Sequence, residues 1–171
     1  MTFHELSKKR QSIRSFTSTP VSRDVIMQLL EAAQEAPSGG NCQPWHFYVI
    51  QNPQLLTAIY ERSYHADWFT SATAAIVVCA DQKRSESKYG SRGRDLYCIQ
   101  DTAAAIQSIL LCAAELGLGA CWCGAFDETA MGELLQLDSS LRPVALIPIG
   151  YPEQRSPKPK RRDMGEIVTF L

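Results

Sequence analysis

The stretch from Asp95 to Leu116 constrains the fold more than any other part of the chain. Ile99, Ala103, Ile106, Leu110 and Ala113 recur at steps of four and three residues, which is the spacing of one face of an α-helix. Alanines flank this seam, so another helix can approach it closely. Gly117 and Gly119 close it. Two continuous apolar runs, residues 74–80 and 143–150 (PVALIPIG), read as buried strands. The remaining elements follow from local signals. A helix is expected over residues 2–11, capped by the T-x-x-E box of Thr2 and Glu5. A second runs over 23–35, with Ser22 as cap and Pro37 as stop. A strand is expected at 46–50 and a short helix at 54–63. A strand at 120–126, a helix at 128–135 and a last strand at 167–171 complete the set. Residues 82–94 are polar and contain glycines, and are expected to form a mobile surface loop. From the residues alone this is a single mixed α/β domain spanning residues 1–171. Chains of about 150 residues bury roughly 70% of their unfolded surface, so the length supports a sizeable core.

Composition narrows the function classes. The formal net charge is −1, with 17 basic and 18 acidic residues. A nucleic-acid-binding domain normally carries a basic excess, so no nucleic-acid partner is expected. The stretch 99–118 is interrupted by Gln100, Asp101, Gln107 and Glu115 and is expected to be too polar to span a bilayer. No apolar leader is visible in MTFHELSKKRQ. The six cysteines show no CxxC and the three histidines are scattered, so no metal site is expected. Reduced thiols and a cytoplasmic location fit this pattern.

Three segments carry candidate chemistry. Residues 8–14, KKRQSIR, offer arginine forks and a serine hydroxyl suited to a phosphate. Residues 36–45, APSGGNCQPW, combine glycines that let backbone approach a ligand with the hydrogen-bonding Ser38, Asn41 and Gln43. Residues 158–162, KPKRR, form a second basic cluster. Taken singly, the basic segments read as solvated surface and the glycine segment as a helix-to-strand loop.

Taken together, in order and spacing, they resemble the nitroreductase family of FMN flavoproteins. The matching motifs are RQSIRSF (10–16), APSGGNCQPWHF (36–47), ELGLGACWCGAFD (115–127), IPIGYP (147–152) and the basic tail before EIVTF. The resemblance implies an α+β sandwich, a central, mostly antiparallel sheet flanked by helices, in an intertwined homodimer. The long helix would form much of the interface and residues 153–171 would extend over the partner. It also implies FMN held by Arg10, Gln11, Ser12 and Arg14, with Arg10 at the phosphate and Arg14 near the N1–O2 edge of the flavin. Pro37, Ser38, Gly39, Asn41 and Gln43 would approach from the second subunit. Cys123, Gly124 and Ala125 would lie near N5, a backbone N–H serving as donor. Lys160 with Arg161 or Arg162 would close the phosphate site, and Tyr64, Trp68 and Phe69 could roof the ring or be ordinary core. Tyr89 and Tyr97 are open to the same two readings. Two departures stand out: Gln11 where the family often has arginine, and Gly124-Ala125 in place of a Glu-Gly pair. The implied reaction is ping-pong hydride transfer from NAD(P)H through flavin N5 to a nitroaromatic or quinone, with no catalytic side chain. Three alternatives remain: dehalogenation or flavin fragmentation on the same fold, a flavin-binding regulatory module, and an anion-binding domain without flavin.

Overall fold

The computed structural model describes residues 1–64, 69, 71–154 and 156–171. Its centre is a four-stranded antiparallel sheet in the order β1-β2-β4-β3, built from β1 (Trp45–Ile50), β2 (Ala74–Asp81), β3 (Gly119–Ala120) and β4 (Leu141–Gly150). Side chains alternate across a strand, and β2 uses both faces. Ala74, Ile76 and Val78 enter one apolar layer, Ala75, Val77 and Cys79 the other. Continuous apolar character in β2 and β4 is the signature of a strand covered on both sides.

The first layer is closed by α2 (Arg23–Gln34) and α5 (Cys98–Glu115), through Ile26, Leu29, Ile106, Ile109 and Ala113. The second is closed by α3 (Pro53–Tyr60) and α6 (Glu128–Leu135), through Leu56, Ile59 and Met131. Each fully buried Ile, Leu or Met contributes about 1.5–3 kcal/mol. The result is the α+β sandwich expected from the motifs. In the expected seam, Ile106, Leu110 and Ala113 are buried in this core, whereas Ile99 and Ala103 stay half-buried.

Local signals explain most boundaries. Helix α1 (Phe3–Lys9) carries the Thr2–Glu5 capping box. Ser22 caps α2 and Asn52 caps α3, which has Pro53 in its first turn. Helix α5 ends in a Schellman arrangement: Leu118 N–H donates to Ala113 O at 2.8 Å, and Gly117 adopts φ 78°.

Three expectations are corrected. Residues 82–94 do not form a loop: Gln82–Arg92 is a helix, α4, capped by the Asp81 carboxylate. Of its residues only Ser85 is buried, so no apolar stripe marked it in the sequence. Its glycines serve a kink at Gly90 (φ 57°) and a wide turn over Gly93–Tyr97 that leads into α5. The strand expected at 120–126 shrinks to Gly119–Ala120, with isolated bridges from Cys123 to Leu146 and from Phe126 to Ser63. Residues 167–171 form no strand; a short turn at Met164–Glu166 precedes an exposed end.

The helical run Gln82–Glu115 is long and apolar enough by composition to cross a membrane, so the expectation that this region is too polar does not stand on composition alone. Packing explains its apolar character, since its α5 part lies in the core against α2 and β2.

Helix α6 is tied to the start of β4 by Arg142, which donates to both oxygens of Glu128 at 2.8 and 2.9 Å. The hydrogen bond from Arg142 lowers the Glu128 pKa. A lowered folded pKa gives stability above the ordinary glutamate range that is lost as pH falls through the folded value. Both groups are about half exposed, so Glu128→Gln is expected to cost only about 0.5 kcal/mol at pH 7. Urea unfolding at pH 7 and pH 3 checks this: the gap between variant and parent should narrow at the lower pH.

Candidate functional site

The segment 10–14 leaves α1 and runs extended beside β3. Ile13 N–H donates to Ala120 O at 3.0 Å, and Ser12 bridges to Ala120. Ile13 anchors this pairing: it is buried, and a Cβ on Gly119 would sit 2.6 Å from its Cγ2. Strand alternation then turns Ser12 and Arg14 to the other side. Both reach Cys121, where burial raises the thiol pKa and the Arg14 charge and Ser12 hydrogen bond oppose it.

The basic tail returns to the same place. Lys158 Nζ donates to the Lys8 carbonyl, in the last turn of α1. The Lys158 pKa is lowered, first by slight desolvation of its otherwise exposed ammonium, then by the positive charges of Arg10 and Arg161. Two clusters separated by about the whole chain therefore converge. Among the described residues, the ion pairs do not include Arg10, Lys158, Lys160 or Arg161. Arg162 differs, because it pairs with Glu166 at 3.0 Å. Like charges gathered without acidic partners among the described residues create a positive potential that could hold an anion.

Beyond β3 lies Cys123, joined to Leu146 by two backbone bonds of 2.9 Å, its Sγ 3.4 Å from Ser63 Oγ. Gly124 is exposed, and a Cβ there would meet nothing within 4 Å. The N–H groups of Gly124 and Ala125 make no hydrogen bond to the described residues, whereas Ala125 O accepts from Tyr64 N–H at 3.0 Å. This rim therefore offers two backbone donors. Tyr64 is 73% exposed. Phe69 is buried in the core beside the Tyr60 ring, at 6.2 Å, which fits the core reading. Trp68 lies outside the described residues.

The 37–43 segment is a bent loop. Gly40, Asn41 and Gln43 have φ of 55°, 56° and 48°, a region that favours glycine and tolerates asparagine. Ser38 Oγ accepts from Gln43 N–H at 2.9 Å and Gln43 Nε2 donates to Asn41 Oδ1 at 3.1 Å. Ser38 and Gln43 therefore hold the loop itself, while Pro37, Gly40 and Asn41 are exposed. Gly39 N–H donates to Asp101 Oδ1, Lys88 Nζ donates to Gly40 O, and Arg84 Nε donates to Cys42 O. Within one chain, no hydrogen bond among the described residues joins this loop to the basic cluster.

Sequence reading named the basic clusters but did not single out Lys158, Cys121 or Asp101. An aspartate inside an apolar helical seam was the available signal for the last. Tyr89 and Tyr97 stack edge to face at 5.1 Å beside the loop. A separate cleft of about 970 Å³ is lined by Tyr60, Glu61 and Glu153, with no lysine or arginine among the described residues that line it.

Comparison with known proteins points one way. The family model described as the nitroreductase family matches residues 7–66 and 58–151. A protein of Archaeoglobus fulgidus named for NADH dehydrogenase/NAD(P)H nitroreductase is 37% identical over 148 residues, covering 84% of this chain and 82% of that one. A nitroreductase family protein from Clostridium novyi NT superposes with a TM-score of 0.80 at 34% identity, over 90% of this chain and 86% of the other. An iodotyrosine deiodinase of Thermotoga neapolitana is 27% identical over 176 residues, 94% of each chain.

Proposed function

The chain belongs to the nitroreductase family, and from that premise we propose that it is an FMN-dependent oxidoreductase passing electrons from NAD(P)H to a small oxidised acceptor such as a nitroaromatic or a quinone. The observation that carries this reading is the meeting of Arg10, Lys158 and Arg161 without an acidic partner among the described residues. A terminal monophosphate matches that donor set.

Each element then has a task. Arg10, Lys158 and Arg161, with Lys160 beside them, hold the phosphate; the Arg162–Glu166 pair favours Arg161 over Arg162. Gln11 and Ser12 add hydrogen bonds along the same segment. Arg14, on the Ser12 side, brings positive charge to the flavin edge that becomes anionic on reduction. Gly124 and Ala125 offer backbone N–H donors at the rim. FMN, when bound, supplies the hydride and electron transfer, so no acid, base or nucleophile is required of the chain.

The site is completed by a second copy, whose loop of Pro37, Ser38, Gly39, Asn41 and Gln43 approaches the ring. Residues 153–171 extend over the partner as a tail of the single domain. Exposed Ile167, Phe170 and Leu171 support such an arrangement, because uncovered apolar groups in series mark an interaction surface. Six free thiols agree with a reducing, cytoplasmic setting.

The purified protein is expected to be a yellow dimer that releases FMN on denaturation and bleaches when NADH or NADPH is added anaerobically. Absorbance, mass spectrometry of the released cofactor and light scattering read these outcomes. FAD, or no flavin after reconstitution, contradicts the cofactor assignment. Flavin that NAD(P)H does not reduce contradicts the enzymatic one. The deiodinase relative motivates a second reading, reductive dehalogenation of a halophenol. It takes precedence if a halotyrosine, and no nitroaromatic, reoxidises the reduced protein.

A further inference from the structure

Asp101 lies on the buried face of α5 and is only 8% exposed. A carboxylate there loses hydration, which is unfavourable unless hydrogen bonds replace it. One oxygen, Oδ1, accepts from Gly39 N–H at 3.1 Å. The other, Oδ2, is buried with no hydrogen-bond partner among the described residues. Burial raises the Asp101 pKa and the Gly39 hydrogen bond pulls it back. A desolvated, half-satisfied carboxylate is a poor choice for stability alone, since an apolar group of similar size avoids the desolvation. Its one hydrogen-bond partner among the described residues is a loop N–H, 62 residues away in sequence.

That loop needs holding. Asn41 and Gln43 carry left-handed backbone that lies outside the usual range for residues with side chains. Helix α4 supplies two further contacts, Lys88 Nζ to Gly40 O at 2.8 Å and Arg84 Nε to Cys42 O at 3.0 Å. Three helical side chains thus grip three backbone groups of one short turn. The two from α4 are exposed. Asp101 is the buried anchor among them.

We infer that Asp101 is a positioning residue: by holding Gly39 N–H it fixes the 38–43 loop in the bent form that presents Gly40 and Asn41 to a flavin bound by the second copy. The clamp stands on the geometry of this chain; the identity of the ligand rests on the function proposed above.

The test uses full-length Asp101→Asn, Asp101→Leu and Asp101→Ala proteins. Asparagine keeps an acceptor for Gly39; leucine fills the space without one; alanine avoids any clash that leucine introduces. Amide hydrogen exchange at residues 39–43 is read in the flavin-free proteins, FMN affinity by fluorescence titration, and melting temperature throughout. Asp101→Leu and Asp101→Ala are expected to exchange Gly39 and its loop neighbours about ten times faster and to bind FMN about tenfold more weakly, a change of about 1.4 kcal/mol. Asp101→Asn should stay within about twofold of the parent in both measures, because one neutral acceptor suffices for the Gly39 N–H. Asp101→Leu should melt within a few degrees of the parent. Unchanged Gly39 exchange in the leucine and alanine variants overturns the inference, as does unchanged FMN affinity. Equal acceleration along all of α5 also overturns it, since that marks a purely structural role. If the parent protein binds no flavin, the proposed function fails separately, and Gly39 exchange still decides whether the clamp exists.

Discussion

Removing two cations from the convergent cluster, in the variant Arg10→Gln with Lys158→Gln, is expected to weaken FMN binding about a hundredfold or more. Each side chain offers a charge-assisted hydrogen bond to a phosphate, worth about 1.5–3 kcal/mol. Two such bonds give roughly 3–6 kcal/mol, and about 1.4 kcal/mol is tenfold in affinity. Folding should survive, because Lys158 is exposed and its hydrogen bond goes to the carbonyl of exposed Lys8. Removing like charges even relieves repulsion in the empty protein, since Arg10 and Arg161 both act on Lys158. Fluorescence titration at fixed ionic strength measures the loss, and raising the salt should shrink the difference between parent and variant. A loss of less than about threefold would place the phosphate elsewhere. The Arg162→Gln protein is the control, because its charge is already engaged by Glu166.

Gly93→Ala should unfold the protein far more readily than its size suggests. Gly93 is buried where α4 turns into the approach to α5, and a Cβ there would lie 2.2 Å from Ser85 O and 2.6 Å from Ser85 C. These are backbone atoms, so no side-chain rotation relieves the clash. Overpacking of this kind costs about 3 kcal/mol, and for a chain of this size that lowers the melting temperature by roughly 6–12 °C. Gly132→Ala gives the opposite sign. Gly132 lies inside α6 with nothing within 4 Å of an added Cβ, and alanine is favoured over glycine in a helix by about 1 kcal/mol. Paired calorimetry on the two variants separates a steric requirement from a general penalty for losing glycine. Equal melting temperatures for Gly93→Ala and the parent would show that the junction can open without cost.

Much of this architecture was legible in the residues because its signals are local. The Thr2–Glu5 box, Ser22 before α2 and the Gly117 stop each announce themselves within a few positions. The apolar runs of β2 and β4 marked buried strands before any partner was known. Helix α4 escaped because its periodic signal is absent: it is nearly all polar, and Gly90 and Gly93 imitate loop punctuation. Its role became visible only when Arg84 and Lys88 were found on a loop more than forty residues earlier. The two basic clusters could be seen, but their meeting could not, since it depends on how Ile13 docks against Gly119 and how the tail returns past α1. Asp101 looked like an interruption in a seam until Gly39 was placed against it.

The bent loop at 38–43 also bears on selectivity. A segment that must be ordered by its ligand subtracts the entropy of ordering from every binding event, and it rewards ligands that wrap it in one way. Here the turn is formed beforehand, with Gly40, Asn41 and Gln43 already in left-handed backbone and three helical side chains bonded to Gly39, Gly40 and Cys42 of the same turn. The ordering entropy is charged to folding instead of to binding. If the loop rims the flavin site proposed above, such a preformed turn is expected to discriminate by shape and thickness more than by particular substituents, accommodating flat molecules of varied chemistry and refusing bulky ones.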